Sequence, residues 1–372
     1  MFLALKEMRR AKLRFGLLTG AVALLIFLIL FQQALLTGLI NQFIGALKNQ
    51  SAQVLVYNAQ ARKNVEGSLI FPEQSAAVAG VEGVAAAAPL GQGTFTVTAG
   101  GDVVDAVLFG YELGGPGAPT TLVEGRLPEQ GGEGVASSRN RDEGFDIGDT
   151  VTLASDGGSI VVVGLADEIN YSVAPVLFVD FATFETAKLA RNPDAKDVLP
   201  SLVAVQVASG ADPATVAAAI TAAVPGTEAL TRTQAVDSSP GVSSVRQSFA
   251  IILALFYLVV PLVTGLFFLI ITFQKASALT LLRAIGAGGG TLVRSLLVQV
   301  VVIVVAGGAL ASLMFFGATK AGGTLGLSFH VSTVSLTIAA VLALAFLTSL
   351  VAVRRVLRID PIQATTGAGV KV

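Results

Sequence analysis

The apolar stretch FGLLTGAVALLIFLILFQQALLTGLINQFIGAL, from Phe15 to Leu47, contains 33 consecutive residues without a charged side chain. As a helix it would extend roughly 50 Å at about 1.5 Å per residue, against about 30 Å for the hydrocarbon core of a bilayer. The stretch therefore predicts a helix that crosses a membrane and continues beyond it. Its second half carries amide side chains, which are Gln32, Gln33, Asn41 and Gln42. We expect this half to leave the membrane as a stalk or to line a helix interface.

A cleavable signal peptide is the alternative for this stretch, because five basic residues precede it. The apolar region of a signal peptide is only about 7 to 15 residues long and ends at a small-residue cleavage site. The observed stretch is much longer, and no A-x-A-like site closes it. The pattern therefore favours a retained membrane helix.

Three further apolar stretches, 247–274, 295–319 and 321–353, are each long enough to cross a bilayer. The last begins with residues rich in Gly, Ser and Thr, so we expect its helix to start near Val331. Pro261 is expected to kink the first of the three, since proline lacks an N–H and collides with the preceding turn.

The charge distribution predicts how these four helices are oriented. The chain has 372 residues, of which 53% are hydrophobic and 13% charged, against about 25% charged in soluble proteins. The N-terminal tail, the 275–294 connection and the C-terminal tail hold 12 basic and two acidic residues, whereas 48–246 holds 11 basic and 23 acidic residues. By the positive-inside rule, both termini are cytoplasmic and the acidic domain lies outside a cell membrane.

The acidic segment is predicted to be a separate α/β or α+β domain. Runs of β-branched residues at 94–98, 149–153, 159–165, 175–180 and 202–207 predict strands, and helices are expected after Phe71, near 182–190 and at 213–224. In ASDGGSI, the pair Asp156–Gly157 is expected to supply the positive φ angles of a hairpin turn. The predicted fold is thus a membrane protein with four transmembrane α-helices and an α/β (α+β) extracytoplasmic domain inserted between helices 1 and 2.

The predicted boundaries follow the charge pattern. They are a cytoplasmic tail and first helix at 1–47, the extracytoplasmic domain at 48–246, helices at 247–274, 295–319 and 333–353, a cytoplasmic coupling region at 275–294, an outer loop at 320–332 and a cytoplasmic tail at 354–372.

The residue inventory argues against an enzyme. The chain has no cysteine and a single histidine, His330, which excludes disulfides, thiolate chemistry and a multi-histidine metal centre within one chain. The carboxylates of Asp142, Glu143, Asp146 and Asp149 do not follow a calcium-loop spacing. We interpret them as a solvated acidic face, with a divalent cation site as the alternative, and predict neither a metal nor an intrinsic cofactor.

Two segments next to the predicted helices carry a family resemblance. ALTLLRAIGAGGGTLVRS at 278–295 and VRRVLRIDPIQA at 353–364 resemble motifs of the FtsX-like permease family, which includes the MacB-type (type VII) ABC exporters. The segment 127–165, with GFDIGDTVTL and IVVVGL, is similar to the extracytoplasmic core domain of that family. The resemblance extends to the order of one helix, a large outer domain and three helices, so it covers nearly the whole chain.

The resemblance implies a non-catalytic permease subunit that works as a homodimer with a separate ABC ATPase. No Walker A sequence is present in the chain, so ATP would bind to the partner subunit. The resemblance places the contact with the ATPase on the first motif, with the coupling residues Leu281, Leu282, Arg283, Ile285 and Gly286. The alternative is an ordinary amphipathic connector anchored by Arg283 and Arg294. The resemblance also implies a mechanism called mechanotransmission. In it, ATP-driven approach of the two cytoplasmic ends moves the long helices, and the helices rearrange the outer domains.

The N-terminal segment LALKEMRRAKLRFGLL is most similar to the haem-efflux branch of this family in Gram-positive bacteria. This similarity implies an amphipathic cargo, with haem favoured, and no nucleic-acid partner. Candidate substrate-binding residues at the outer ends of helices 1 and 2 are Tyr57, Arg62, Arg246, Phe249 and Tyr257. The alternative for these residues is membrane anchoring and contact with lipid headgroups. The alternative function is an FtsX-like signalling permease that transports nothing and controls an extracellular cell-wall hydrolase.

The first predicted helix also contains four glycines. Gly16, Gly20, Gly38 and Gly45 are expected to allow close approach of neighbouring helices.

Overall fold

The computed structural model describes residues 11–274, 289–321 and 331–357. Its helices and strands are, in chain order, α1 (Lys12–Lys48), β1 (Val54–Asn58), α2 (Pro72–Ala79), β2 (Val84–Ala99), β3 (Asp102–Tyr111), β4 (Leu122–Gly125), β5 (Glu133–Ser137), β6 (Thr150–Leu153), β7 (Ser159–Ala166), β8 (Val176–Asp180), α3 (Phe181–Arg191), β9 (Leu202–Val207), α4 (Pro213–Ala223), β10 (Thr227–Thr231), α5 (Arg232–Ser238), α6 (Val242–Gln274), α7 (Gly289–Ala321) and α8 (Val331–Leu357).

Four of these helices, α1, α6, α7 and α8, are long and apolar enough to cross a membrane. The described residues up to Gly38 and from Arg246 onward form one compact unit, and Leu39–Val245 form a second. We call these the membrane unit and the outer domain. The predicted architecture of four membrane helices with a domain inserted between the first and the second is therefore confirmed.

The core of the membrane unit follows the helical period on α1. Phe15, Leu18 and Val22, which are spaced three or four residues apart, are at most 4% exposed and pack in one cluster with residues of α7 and α8 such as Val304 and Val341. Burial of one face of α1 turns the residues between these positions outward.

Two of the four glycines predicted to allow close helix packing make no close contact with another described helix of the same chain, and their packing against a partner copy stays a prediction. Among the described residues, a Cβ atom added at Gly16 or Gly20 would have no neighbour within 4 Å, because both residues lie outside the buried face of α1. Close helix packing occurs instead at glycines of other helices. A Cβ atom at Gly307 of α7 would lie 3.1 Å from Cγ1 of Val22, and one at Gly265 of α6 would lie 2.6 Å from Cγ2 of Thr348.

The observed helices extend beyond the charge-free stretches that predicted them. α6 begins at Val242 rather than Gln247, and α7 begins at Gly289 rather than Ser295. The reason is that charged residues such as Arg246 are good helix formers and end an apolar run without ending a helix. α8 is described from Val331, close to its predicted start. α6 continues as one helix through Pro261, and a kink there stays a prediction.

The outer domain is built on a ten-stranded mixed sheet with the order β10-β1-β9-β2-β3-β8-β5-β7-β4, and β6 pairs with β2 and β7. Most neighbours are antiparallel, while β3–β8 and β5–β7 are parallel. α2 and α4 supply Val78 and Ile220 to a cluster with β1 and β9, whereas α3 packs Phe184 against Gly91 and Gly110 of the central strands. The predicted α/β domain and its five predicted strands are confirmed.

The predicted hairpin forms, but its turn uses different residues. β6 and β7 are antiparallel, and the N–H of Gly157 donates to the carbonyl of Ala154. The positive φ angles belong to Ser155 (60°), Asp156 (59°) and Gly158 (91°). Two consecutive left-handed residues between Ala154 and Gly157 define a type I′ turn, so the Asp156–Gly157 assignment was wrong by one residue.

Candidate functional site

The predicted coupling residues Leu281, Leu282, Arg283, Ile285 and Gly286 lie outside the described residues, as does His330. Their roles stay predictions.

Two of the candidate substrate-binding residues belong to the outer domain rather than to a helix end. Tyr57 is on β1 with a side chain that is 0% exposed, and burial raises the pKa of its hydroxyl. Arg62 is exposed and has a left-handed backbone (φ 51°) after a 3₁₀ turn at Ala59–Ala61. The predicted placement of both at the outer end of helix 1 was wrong, because α1 ends at Lys48 and a strand starts only six residues later.

The other three candidates lie on α6. Arg246, Phe249 and Tyr257 are all half-buried in this helix. Tyr257 contacts α1, because Nε2 of Gln33 donates a hydrogen bond of 3.4 Å to its hydroxyl oxygen. The sequence singled out both residues for separate reasons but gave no signal that they meet.

Gln33 connects three helices inside the membrane unit. Besides its contact with Tyr257 of α6, its Oε1 accepts a 3.2 Å hydrogen bond from the hydroxyl of Thr337 on α8, which is 2% exposed. An amide in an apolar surrounding is costly unless it is hydrogen-bonded, so both contacts stabilise this arrangement of helices. The expectation that an amide of the second half of α1 lines a helix interface is confirmed for Gln33.

A pocket lies beside this polar cluster. It is lined by Leu30, Gln33, Ala34, Thr37, Phe315, Thr333 and Val334, which come from α1, α7 and α8. None of these side chains is charged. The walls are mainly aliphatic and aromatic, while Gln33 and the two threonines supply neutral polar groups.

The last turn of α1 forms a joint with a loop of the outer domain. At Ile44 the backbone leaves the helical region (φ −142°, ψ 19°). The carbonyls of Gln42 and Phe43 accept 2.9 Å hydrogen bonds from the N–H groups of Val173 and Ser172. We call residues 167–174 the joint loop. Its bonds replace helical hydrogen bonds that the break at Ile44 removes, so the end of α1 is held by the outer domain as well as by its own helix.

The joint loop itself is strained and strongly supported. Ser172 and Val173 have φ angles of 50° and 65°, and a β-branched residue such as valine rarely adopts this conformation. Below them, Asn170 is 4% exposed and bonds to three partners, which are Ser137 Oγ at 2.7 Å, Asn140 Oδ1 at 3.0 Å and the Ala174 carbonyl at 3.2 Å. A fully bonded buried amide fixes the loop and offsets its strain.

Further contacts fix the end of α1 on the same loop. The N–H of Ala46 donates to the carbonyl of Asn170 at 3.2 Å. Nζ of Lys48 lies 2.8 Å from Oδ1 of Asn41 and 3.6 Å from a carboxylate oxygen of Glu168. The backbone of Gly45 is so close to that of Glu168 that a Cβ atom would overlap the carbonyl oxygen. Sequence reasoning missed the joint because its two sides are more than 120 residues apart.

The predicted acidic face is engaged in local contacts. Asp146 and Glu124 both pair with Arg141, Glu143 accepts from Asn140, and Asp149 accepts from the backbone N–H of Asp146. Within residues 11–274, 289–321 and 331–357, no group of His, Asp and Glu side chains is arranged to hold a metal ion.

Comparison with known proteins relates this architecture to transport. Residues 15–223 match the family model of the MacB-like periplasmic core domain. The chain is 23% identical to a putative hemin transport system permease protein, HrtB, of Staphylococcus haemolyticus, over 99% of both chains. It is 32% identical to an uncharacterized ABC transporter permease of Mycobacterium tuberculosis, over 52% of this chain and 53% of the relative.

Two solved structures are also similar. The periplasmic region of MacB from Actinobacillus actinomycetemcomitans is 12% identical, with a TM-score of 0.36, over 54% of this chain and 92% of that one. The extracellular domain of the ABC-type transporter YknZ from Gram-positive bacteria is 13% identical, with a TM-score of 0.34, over 48% of this chain and 99% of that one. Because the family model covers more than half of the chain and the relatives are permeases, the chain belongs to the MacB-type ABC transporter permeases.

Proposed function

We propose that this permease is the membrane subunit of an efflux pump that expels an amphipathic compound, with haem as the favoured cargo. A separate ATPase subunit hydrolyses ATP, and two copies of the permease form a homodimer in the cell membrane. The name of the Staphylococcus haemolyticus relative supports haem as the cargo, since that relative aligns over nearly its whole length.

The joint at the end of α1 is the observation that carries the mechanism. α1 contributes residues to both compact units, and its last turn is bonded to the joint loop through Gln42, Phe43 and Ala46. Asn170 connects that loop to Ser137 at the end of β5. A displacement of the end of α1 would therefore pull directly on the sheet of the outer domain. This arrangement supports mechanotransmission, in which ATP-driven movement of the membrane helices rearranges the outer domain.

The proposed cargo contacts are on α6. Arg246, Phe249 and Tyr257 share this helix and are half-buried. An arginine can pair with a carboxylate of the cargo, while the aromatic rings can contact its planar apolar part. Tyr57 is fully enclosed by the sheet core and would need the domain to open before it could touch a ligand.

Haem sensitivity tests this proposal. Cells that lack the permease, and cells that lack only its partner ATPase, are exposed to haem and compared with the parent. Both strains should lose survival, and a plasmid copy of the permease should restore it. The Tyr257→Phe variant, which keeps the ring, should restore it at least partly, whereas Arg246→Ala should not.

Unchanged survival of both deletion strains would rule out haem as the cargo. If the same strains instead failed to separate their daughter cells, the result would favour a signalling permease that controls a cell-wall hydrolase.

A further inference from the structure

One edge of β2 is open over a short stretch. On the side that faces away from β3, β9 pairs with β2 up to Leu90, and β6 pairs with it only from Val97. A pocket of about 300 Å³ lies at this gap, with walls that come from β2, β3, α3 and the turn between β6 and β7. At roughly 30 Å³ for each water molecule, this volume holds about ten waters. It lies at the lower end of the range for ligand pockets, about 300–1,000 Å³, so a small organic molecule fits.

Backbone N–H groups of β2 line this gap. The carbonyl of Thr94 accepts a 2.7 Å hydrogen bond from Nη1 of Arg191, and the carbonyl of Thr96 accepts a 3.0 Å bond from the N–H of Ala154. The N–H and the carbonyl of one residue point to the same edge of an antiparallel strand. The N–H groups of Thr94 and Thr96 therefore face the gap as well. Neither of them donates to an acceptor among the residues that the structure describes.

Arg191 brings a positive charge to the same gap. It is exposed at the end of α3, and its bond to the Thr94 carbonyl uses one of the five N–H donors of a guanidinium. In the part of the chain that the structure describes, it has no carboxylate partner. Lys188 lies one turn earlier over the rings of Phe95 and Phe184, and burial and the charge of Arg191 lower its pKa. A bound anion would relieve the repulsion between these two cations.

Asp105 places a negative charge on another wall of the pocket. Its Oδ1 accepts a 3.0 Å hydrogen bond from the hydroxyl of Thr96, whereas its Oδ2 has no partner within the described outer domain. The side chain is exposed and forms no ion pair with Arg191. Phe95 and Ala187 add apolar surface to the same pocket. The walls thus offer a cation, an anion and an apolar contact to one ligand.

The hydrogen-bonding groups at the gap restrict the class of ligand. A peptide that adds as a strand needs alternating donors and acceptors, but the carbonyls of Thr94 and Thr96 already accept bonds from the protein itself. A phosphate or a dicarboxylate would bring several negative charges next to Asp105, where like charges repel. A small molecule with one carboxylate, one ammonium group and a short apolar part matches all the walls.

We propose that this pocket of the outer domain binds a small zwitterion that carries an α-ammonium group and a carboxylate, as a free aliphatic amino acid or a dipeptide does. Arg191 and the N–H groups of Thr94 and Thr96 bind the carboxylate. Asp105 binds the ammonium group, and Phe95 contacts the aliphatic side chain. The inference does not rest on haem export, because it concerns equilibrium binding to the permease alone.

Equilibrium dialysis tests the proposal on the purified full-length permease in nanodiscs. The protein is dialysed against tritiated leucine and, separately, against tritiated alanyl-leucine. We expect saturable binding of at least one, and the tighter of the two identifies the source of the zwitterion. Unlabelled isocaproate, which lacks the ammonium group of leucine, and isoamylamine, which lacks its carboxylate, should each compete at least about tenfold more weakly than the bound zwitterion.

Two variants separate the roles of the charged residues. Arg191→Gln should weaken binding by roughly ten- to a hundredfold, the range for hydrogen bonds to charged groups. Asp105→Asn should weaken binding of the zwitterion but leave competition by isocaproate unchanged, so the preference between them narrows. Lys196→Gln and Asp102→Asn are the matched controls, since both residues are exposed and lie outside the pocket, and they should bind as the parent does.

The melting temperature of each variant is measured in parallel. If Arg191→Gln fails to fold, the change of preference in Asp105→Asn decides, because a merely structural role would not alter it. Absence of saturable binding of both zwitterions, equal competition by isocaproate, or an unchanged preference in Asp105→Asn would each overturn the proposal. None of these results depends on survival in haem, so the two proposals fail separately.

Discussion

Gly45 lies where the last turn of α1 meets the joint loop, and its missing side chain lets the two backbones approach. A Cβ atom there would overlap the carbonyl oxygen of Glu168 and lie 3.0 Å from that of Asn170. Both obstacles are backbone atoms, which cannot rotate away as a side chain would. Substitution must therefore shift either the end of α1 or the loop.

We expect Gly45→Ala to destabilise the outer domain by about 1–3 kcal/mol, the usual cost of overpacking a close contact. The measurement is the melting temperature of the purified full-length permease in detergent. Gly16→Ala is the matched control, because a Cβ atom there has no neighbour within 4 Å in the part of the chain that the structure describes, and alanine is the better helix former. Equal melting temperatures for the two variants would contradict the role assigned to Gly45.

At the start of β5, Glu133 forms a bidentate ion pair with Arg126. Nη2 and Nη1 of Arg126 lie 2.6 and 2.7 Å from its two carboxylate oxygens, and the N–H of Glu129 donates to one of them at 3.0 Å. These bonds favour the charged form and lower the pKa of Glu133 to about 2. The pair fixes the turn between β4 and β5, to which both residues are adjacent.

The shifted pKa of Glu133 predicts how stability depends on pH. Because the folded-state pKa is lower than the value of about 4.3 in an unfolded chain, the stabilisation is fully present above about pH 4.3. It is lost as the pH falls toward about 2. The melting temperature of Glu133→Gln should therefore be lower than that of the parent at pH 6, and the difference should shrink between pH 4.5 and 2.5. A constant difference over that range would exclude the ion pair as its cause.

Among the elements, those set by a local pattern were predictable and those set by distant contacts were not. The charge-free stretches predicted four membrane helices, and the β-branched runs predicted β2, β6, β7, β8 and β9. The contact of Gln33 with Tyr257 joins residues 224 positions apart, and no periodicity in either helix encodes it. The position of Tyr57 was mistaken for the same reason, since its burial depends on strands far along the chain, β9 and β10, which pair with β1 on either side.

The hairpin between β6 and β7 shows how a local pattern can be right in kind and wrong in detail. ASDGGSI contains several residues that tolerate a positive φ angle. The register of the sheet, in which Thr152 pairs with Ser159, decides which of them occupy the turn. Pairing is a property of both strands, so the turn residues alone could not fix it.

The coupling segment at 278–295 supplies the prediction for this level of structure, although its residues 278–288 lie outside the described ranges. Ile285→Asp introduces a charge into the apolar set Leu279, Leu281, Leu282 and Ile285. We expect it to abolish stimulation of the partner ATPase, because burying an unpaired carboxylate in a docking groove is costly.

Insertion into the membrane should persist in Ile285→Asp, as judged by the amount of full-length protein in the membrane fraction. Thr280→Asp adds the same charge outside the apolar set and should retain stimulation. Normal ATPase stimulation by the Ile285→Asp permease would remove the assigned docking role.

At the scale of the whole molecule, the function depends on which side of the membrane each part faces. The outer domain carries most of the acidic residues, whereas the tails and the 275–294 connection are strongly basic. Basic residues in short segments next to membrane helices are retained on the cytoplasmic side. The proposed functions require this orientation, because the coupling segment would have to meet a cytoplasmic ATPase while the outer domain acts outside the cell.

The absence of cysteine from the sequence makes this orientation directly measurable, because each introduced cysteine is the only reactive thiol. Glu82→Cys lies in an exposed turn of the outer domain before β2, and Ile285→Cys lies in the coupling segment. A membrane-impermeant maleimide added to intact cells should label the first variant and should label the second only after the membrane is permeabilised. The reverse pattern would place the coupling segment outside the cell, where no ATPase could reach it. That result would contradict both the efflux and the signalling proposal.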